Sequence, residues 1–165
     1  MEKKNNDIKS MRETINQLQN RVNELEDLIE QTALPIIPSI VPNTLLIPFT
    51  GVLSSERFQM IIPKVLNYAS CTTTDAVILD FTAISIKNVD NLQSLGKYLK
   101  DLLTALNLMG IEVHLVGLSP QLSQVMVKSG LSVVKEVNAF STFKSALEFL
   151  LEKKGLALVK INSDI

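Results

Sequence analysis

A chain of 165 residues, 46% hydrophobic and 20% charged, suits one globular domain with a buried core plus an appendage. The formal net charge is −1: residues 1–31 carry five Lys/Arg against seven Asp/Glu, and the remainder eleven against ten. Neither part has the basic excess that nucleic acid or an anionic membrane asks for, and with 5% aromatics and no Trp a base-stacking platform is not expected.

Cys71 is the single cysteine, so no intrachain disulfide and no cysteine metal site can form. A reducing compartment fits. The opening MEKKNNDIKS is too polar for a signal peptide, and no apolar run approaches a membrane span, so cytoplasmic residence is expected.

Residues 5–31 carry a heptad, with Ile8, Ile15, Val22 and Ile29 at a and Met11, Leu18 and Leu25 at d, uninterrupted by Gly or Pro. β-Branched residues at a with Leu at d favour a parallel two-stranded coiled coil. Asp7 with Arg12 and Arg21 with Glu26 fall at g and e′ and are opposite in sign, as an in-register parallel homodimer wants. The seam spans about 30 Å at the helical rise. Three heptads are marginal alone, so the following domain is expected to help hold the dimer. The other reading of the same stripe is one amphipathic helix packed on its own domain.

Pro35, Pro38, Pro42 and Pro48 then impose extended backbone. Leu34 to Val41 reads as an edge strand or linker, Pro42-Asn43 as a turn, and Thr44 to Thr50 as a second strand antiparallel to the first. Ser54 or Ser55 caps a helix bearing Phe58, Ile61, Ile62, Val65, Leu66 and Ala69, which Pro63 is expected to kink or whose first part it is expected to limit to one short turn. Ala76 to Phe81 is short, continuous and apolar, a buried parallel-type strand. The next helix is expected from Asn88, as N-cap, to about Met109, with Asp90 complementing the dipole and Gly110 at the stop. Such a helix opening suits an anion or phosphate.

Ile111 to Val116 reads as another buried strand. Ser119-Pro120 opens a helix with Leu122, Val125 and Met126 inward, ended by Gly130. Ser132 to Val137 is expected as a short strand. Ser141 is expected to cap a last helix with Phe143, Ala146, Leu147, Leu150 and Leu151 inward, closed by Gly155. The tail from residue 156 is apolar enough to pack as an edge strand or across a partner. The alternation predicts an α/β fold: a mixed, mostly parallel sheet of four to five strands packed with helices and preceded by the coiled-coil helix. The division is 1–32 coil, 33–155 globular domain and 156–165 tail.

Chemistry is sparse. No G-x-G-x-x-G follows a strand, and there is neither a P-loop nor a nucleophile elbow. The sole histidine, His114, lies mid-strand between apolar residues and reads as structural. Asp80, at a strand end, reads first as a carboxylate bonding loop N–H groups. Cys71 has no histidine base beside it. No catalytic residue, cofactor or metal is expected.

The run VILDFTAISIKNVDNLQSLGKYL resembles the central segment of STAS domains, the fold shared by sulfate transporters and anti-sigma-factor antagonists. ALPIIPSIVPNTLLIPFTGVLSSER, with Pro48, Gly51 and Glu56-Arg57, resembles the start of that domain in RsbR-type stressosome proteins. GIEVHLVGLSPQLSQVMVKSGL, with Gly117, Pro120 and Gly130, is similar as well, so the resemblance covers about residues 33–152. It implies a scaffold of cytoplasmic stress-signalling assemblies whose members are phosphorylated on Ser or Thr by a partner kinase. The matching acceptor positions here are Val52 and Val89, both without a hydroxyl; Ser54, Ser55 and Ser85 are nearby fallbacks. Asp90 stands beside the second position, with less charge and fewer oxygens than a phosphate.

Partner binding is therefore expected on Asn88, Val89, Asp90, Asn91 and Leu92, and dimerisation along the heptad stripe. The expected partners are a second copy, other STAS proteins and a regulatory kinase, with no nucleic acid and no membrane. Family members carry a sensor domain ahead of a linker helix; here the sequence opens on the helix, from a lost sensor or a fragment. The alternative function is a nucleotide-binding STAS relay whose coil couples to a sensor.

Overall fold

The computed structural model describes residues 2–32, 34–128 and 137–159. The chain divides into two compact units, residues 1–33 and 34–165. The first unit is one helix, α1 (Glu2–Thr32). On it Ile8, Met11, Ile15, Leu18, Val22 and Leu25 are each 44–66% exposed. Arg21 pairs with Glu24 one turn on, at 3.0 Å. The side chains of Glu26 and Ile29 lie outside the described residues.

The second unit is a five-stranded sheet in the order β1-β2-β3-β4-β5, formed by β1 (Ile37–Pro38), β2 (Thr44–Pro48), β3 (Ala76–Asp80), β4 (Glu112–Val116) and β5 (Asn138–Phe140). β1 is antiparallel to β2, and the other pairings are parallel. Asn43 turns the chain between β1 and β2 with φ 57°, a conformation Asn tolerates well. The helices are α2 (Ser55–Cys71), α3 (Leu92–Leu108), α4 (Pro120–Lys128) and α5 (Phe143–Lys153).

Strand periodicity splits the core in two. Leu45, Ile47, Val77, Leu79, Val113 and Leu115 join the buried faces of α2, α3 and α4. Ala76, Ile78 and Val116 face the other way, onto Ala146, Leu150 and Leu151 of α5. β3 lies at the centre with Ala76 to Leu79 all buried, as its apolar run requires.

Three expectations change. Pro63 does not limit the first part of α2 to one short turn: the helix is continuous from Ser55 to Cys71 with Ser54 as its cap. The proline is exposed and removes one solvent-side N–H, while Phe58, Ile61, Val65 and Ala69 hold the inner face. The last helix is capped by Thr142 rather than Ser141, the Thr142 hydroxyl accepting from Ser145 N at 3.2 Å. α3 opens at Leu92 rather than Asn88. The expected stop at Gly130 and positions 132–136 of the expected strand lie outside the described residues; Val137 is buried and leads into β5. Among the described residues no helix is long and apolar enough to cross a membrane.

Candidate partner-recognition site

The loops leaving the carboxyl ends of β2 and β3 meet. Phe49 N donates to Asp80 O at 2.8 Å and Phe81 N to Val116 O at 2.8 Å, which extends the ladders past the strands. Both phenylalanine rings turn inward and stack at 4.6 Å, so the loops start from rigid anchors. Beyond them, Leu53 and Val89 form an isolated parallel bridge. Leu53 N donates to Asn88 O at 2.7 Å, and Asp90 N donates to Leu53 O at 3.3 Å. Leu53 is buried and pins the bridge to the core.

Each loop is braced on its own side. Gly51 has φ +70°, and the Arg57 guanidinium reaches back to the carbonyls of Thr50 and Val52, the latter at 2.9 Å. Burial lowers the Arg57 pKa from its ordinary value. The fully exposed Glu56 carboxyl is held below its ordinary range by its own backbone N–H and by the Ser54 hydroxyl. On the other loop, Asp80 Oδ1 accepts from Thr82 N at 2.8 Å and from Thr82 Oγ1 at 2.5 Å, so Asp80 does bond loop donors. Asn88 Oδ1 accepts from Ser85 N at 2.9 Å and Ser85 Oγ at 2.7 Å, closing a short 3-10 turn over Ile86–Asn88.

That turn accounts for the displaced helix start. The side chain of Asn88 is occupied within its own turn, and the bridge to Leu53 holds Val89 in extended backbone. The cap falls to Asn91, whose Oδ1 accepts from Gln93 N and Ser94 N, both at 3.0 Å. Asp90 consequently precedes the cap and lies outside the first turn. The two amides bonded by Asn91 are also the ones an anion at this terminus would need.

The two positions read as acceptor equivalents, 37 residues apart in sequence, thus stand on the two strands of one bridge. Val52 is 57% exposed; Val89 is half-buried and packs on the core. Exposed Ile86, Lys87, Asp90 and Asn91 complete the surface. Leu92 is half-buried at the start of α3. Sequence reasoning did not single out Leu53 or Thr82. Their only signals were an apolar residue two past Gly51 and a hydroxyl two past Asp80.

No grouping of three or more metal-ligating side chains occurs among the described residues. Cys71 is exposed, at the far end of α2 from Ser54. His114 is wholly buried in β4, away from this surface.

Comparison with known proteins places the chain. The family model for the STAS domain matches residues 33–146. The chain is 28% identical over 121 residues to a blue-light photoreceptor of Listeria monocytogenes, covering 73% of this chain and 46% of that protein. It is 23% identical over 133 residues to the RsbT co-antagonist protein RsbRA of Bacillus subtilis, covering 81% and 46%. It thus spans less than half the length of these relatives. A chain from the molecular architecture of the stressosome, described as a signal integration and transduction hub, superposes with a TM-score of 0.59 at 15% identity, covering 73% of this chain and 98% of that one.

Proposed function

The chain belongs to the STAS-domain family, and from that premise we propose that it is a non-enzymatic regulatory scaffold of the stressosome or partner-switching type. It is presented as a homodimer by α1 and touched by other STAS proteins and a regulatory kinase on the surface around the Leu53–Val89 bridge. The observation that carries this reading is the bridge itself. It gathers two distant loops into one exposed, braced surface. A surface of that kind is read by shape and charge.

Both acceptor-equivalent positions are valine, so this copy lacks the hydroxyls through which a kinase would switch it there. Asp90 supplies a fixed, single negative charge beside Val89 in place of a switchable one. The heptad stripe supports dimerisation: six large apolar side chains on one helix face are exposed. The relatives named as RsbT co-antagonist and photoreceptor support a place in the same signalling class.

Mixing the full chain with a second STAS protein of the kind that builds the stressosome, and following sedimentation, tests the reading. A larger complex is expected, weakened at least tenfold by Asp90→Lys together with Val52→Glu and untouched by Lys144→Glu on α5. Binding indifferent to the 52/90 pair overturns the docking surface. In a parallel arm, Val89→Thr is expected to gain one phosphate with the partner kinase; no gain overturns the acceptor equivalence.

A further inference from the structure

The face of the sheet under α5 holds a titratable group that the recognition surface does not use. His114 is the only histidine in the chain. It is fully buried, and neither Nδ1 nor Nε2 has a hydrogen-bond partner among the described residues. Its ring lies against Phe140 of β5 and Phe149 of α5, with centroids 5.9 and 5.7 Å away. The neighbouring strands place Ile78 alongside it on β3 and Asn138 on β5.

Two charged groups face this ring. On its own strand, Glu112 Oε1 is 3.6 Å from Nε2, beyond hydrogen-bond reach. From α5, Lys153 Nζ bonds the other oxygen of that carboxylate at 2.6 Å. Asn138 Nδ2 donates to Glu112 Oε1 at 3.4 Å. Glu112 therefore ties β4, β5 and α5 together, and the imidazole sits beside the knot.

Protonation turns both ring nitrogens into donors. Among the described residues Glu112 is a carboxylate near enough to answer, 3.6 Å from Nε2, and it is already committed to Lys153 and Asn138. Drawing Glu112 toward His114 slackens its hold on α5. Leaving it in place strands a cation among aromatic rings, which burial penalises heavily. Either way the closed layer of α5 and β5 requires a neutral ring.

We propose that His114 is an acid-sensitive latch, releasing α5 and β5 from the sheet on mild acidification and uncovering the apolar stripe Ala146, Leu150 and Leu151. The direction follows from burial, which holds the His114 pKa below its ordinary 6.5, with Glu112 opposing and Lys153 reinforcing the shift. The opened layer, with its ring in water, takes up the proton first. Closure is complete above the ordinary value. Below it the open fraction rises by up to about tenfold per pH unit, until the closed state's own pKa is reached.

Hydrogen exchange of the full chain at pH about 7.5 and about 5.5, corrected for intrinsic chemical exchange, tests this. Peptides over 138–153 are expected to lose protection at the lower pH, by up to about tenfold, while β2 and β3 hold. In His114→Phe that loss is expected to vanish. Because that variant could misfold, NMR titration of the sole imidazole in the unaltered chain provides an independent reading, with a midpoint below 6.5 expected. A midpoint at or above 6.5, protection unchanged over 138–153, loss spread evenly over the sheet, or a loss that survives in a folded His114→Phe chain each overturns the latch.

Discussion

Gly117 shows how one residue shapes the recognition loops. It sits just past β4 with φ +71°, and a Cβ there would lie 2.7 Å from Thr82 N and 2.8 Å from Thr82 Cα. Those are backbone atoms that Asp80 already holds through its bond to Thr82 N. Gly117→Ala is therefore expected to cost about 1–3 kcal/mol, for strain and for displacement of the 81–84 turn. Urea unfolding measures the cost, and a change below about 0.5 kcal/mol would mean the turn yields freely. Asn91 works in the opposite sense, by supplying an acceptor. Asn91→Ala removes both cap bonds of α3 and is expected to cost about 1 kcal/mol. Sequence alone could not choose between Asn88 and Asn91, because both are good caps by residue type. The choice came from Leu53, whose backbone takes up 88 and 90.

At the level of elements, α1 and α2 show two ways in which helix signals relate to packing. In α2 the proline argued locally for a break, but four buried side chains on the inner face outweigh one lost solvent-side hydrogen bond. In α1 the heptad is legible residue by residue, and its described apolar side chains from Ile8 to Leu25 are exposed. Leu18→Asp puts a charge in the proposed seam. The parent is expected to sediment as a dimer and the variant as a monomer, with the thermal unfolding of residues 34–165 unchanged. An unaltered mass would locate the dimer contact elsewhere or abolish it. β3 and β4 were the most legible strands, because short continuous apolar runs bounded by turn signals suit strands buried on both faces.

Across the whole domain, Lys154 joins segments that are far apart in sequence. Its Nζ donates to Pro42 O at 2.7 Å and pairs with Asp75 at 2.8 Å, so the end of α5 is fastened to the turn before β2 and to the start of β3. With the side chain 21% exposed, the pair is only partly screened. Lys154→Met keeps the aliphatic stem and is expected to lower stability by about 1–3 kcal/mol, read from the shift in denaturation midpoint at constant slope. An unchanged midpoint would make the fastening decorative. The sequence by itself determined the order of elements, the apolar faces, the heptad stripe and the family resemblance, because periodicity and turn chemistry are local properties that each segment carries alone. Only the tertiary structure decided that Val52 lies next to the Leu53–Val89 bridge, that Asn91 caps α3, and that His114 lies without a hydrogen-bond partner among the described residues, beside the Glu112–Lys153 pair. Each of these depends on contacts between segments distant along the chain, and such contacts exist once the sheet has brought those segments together.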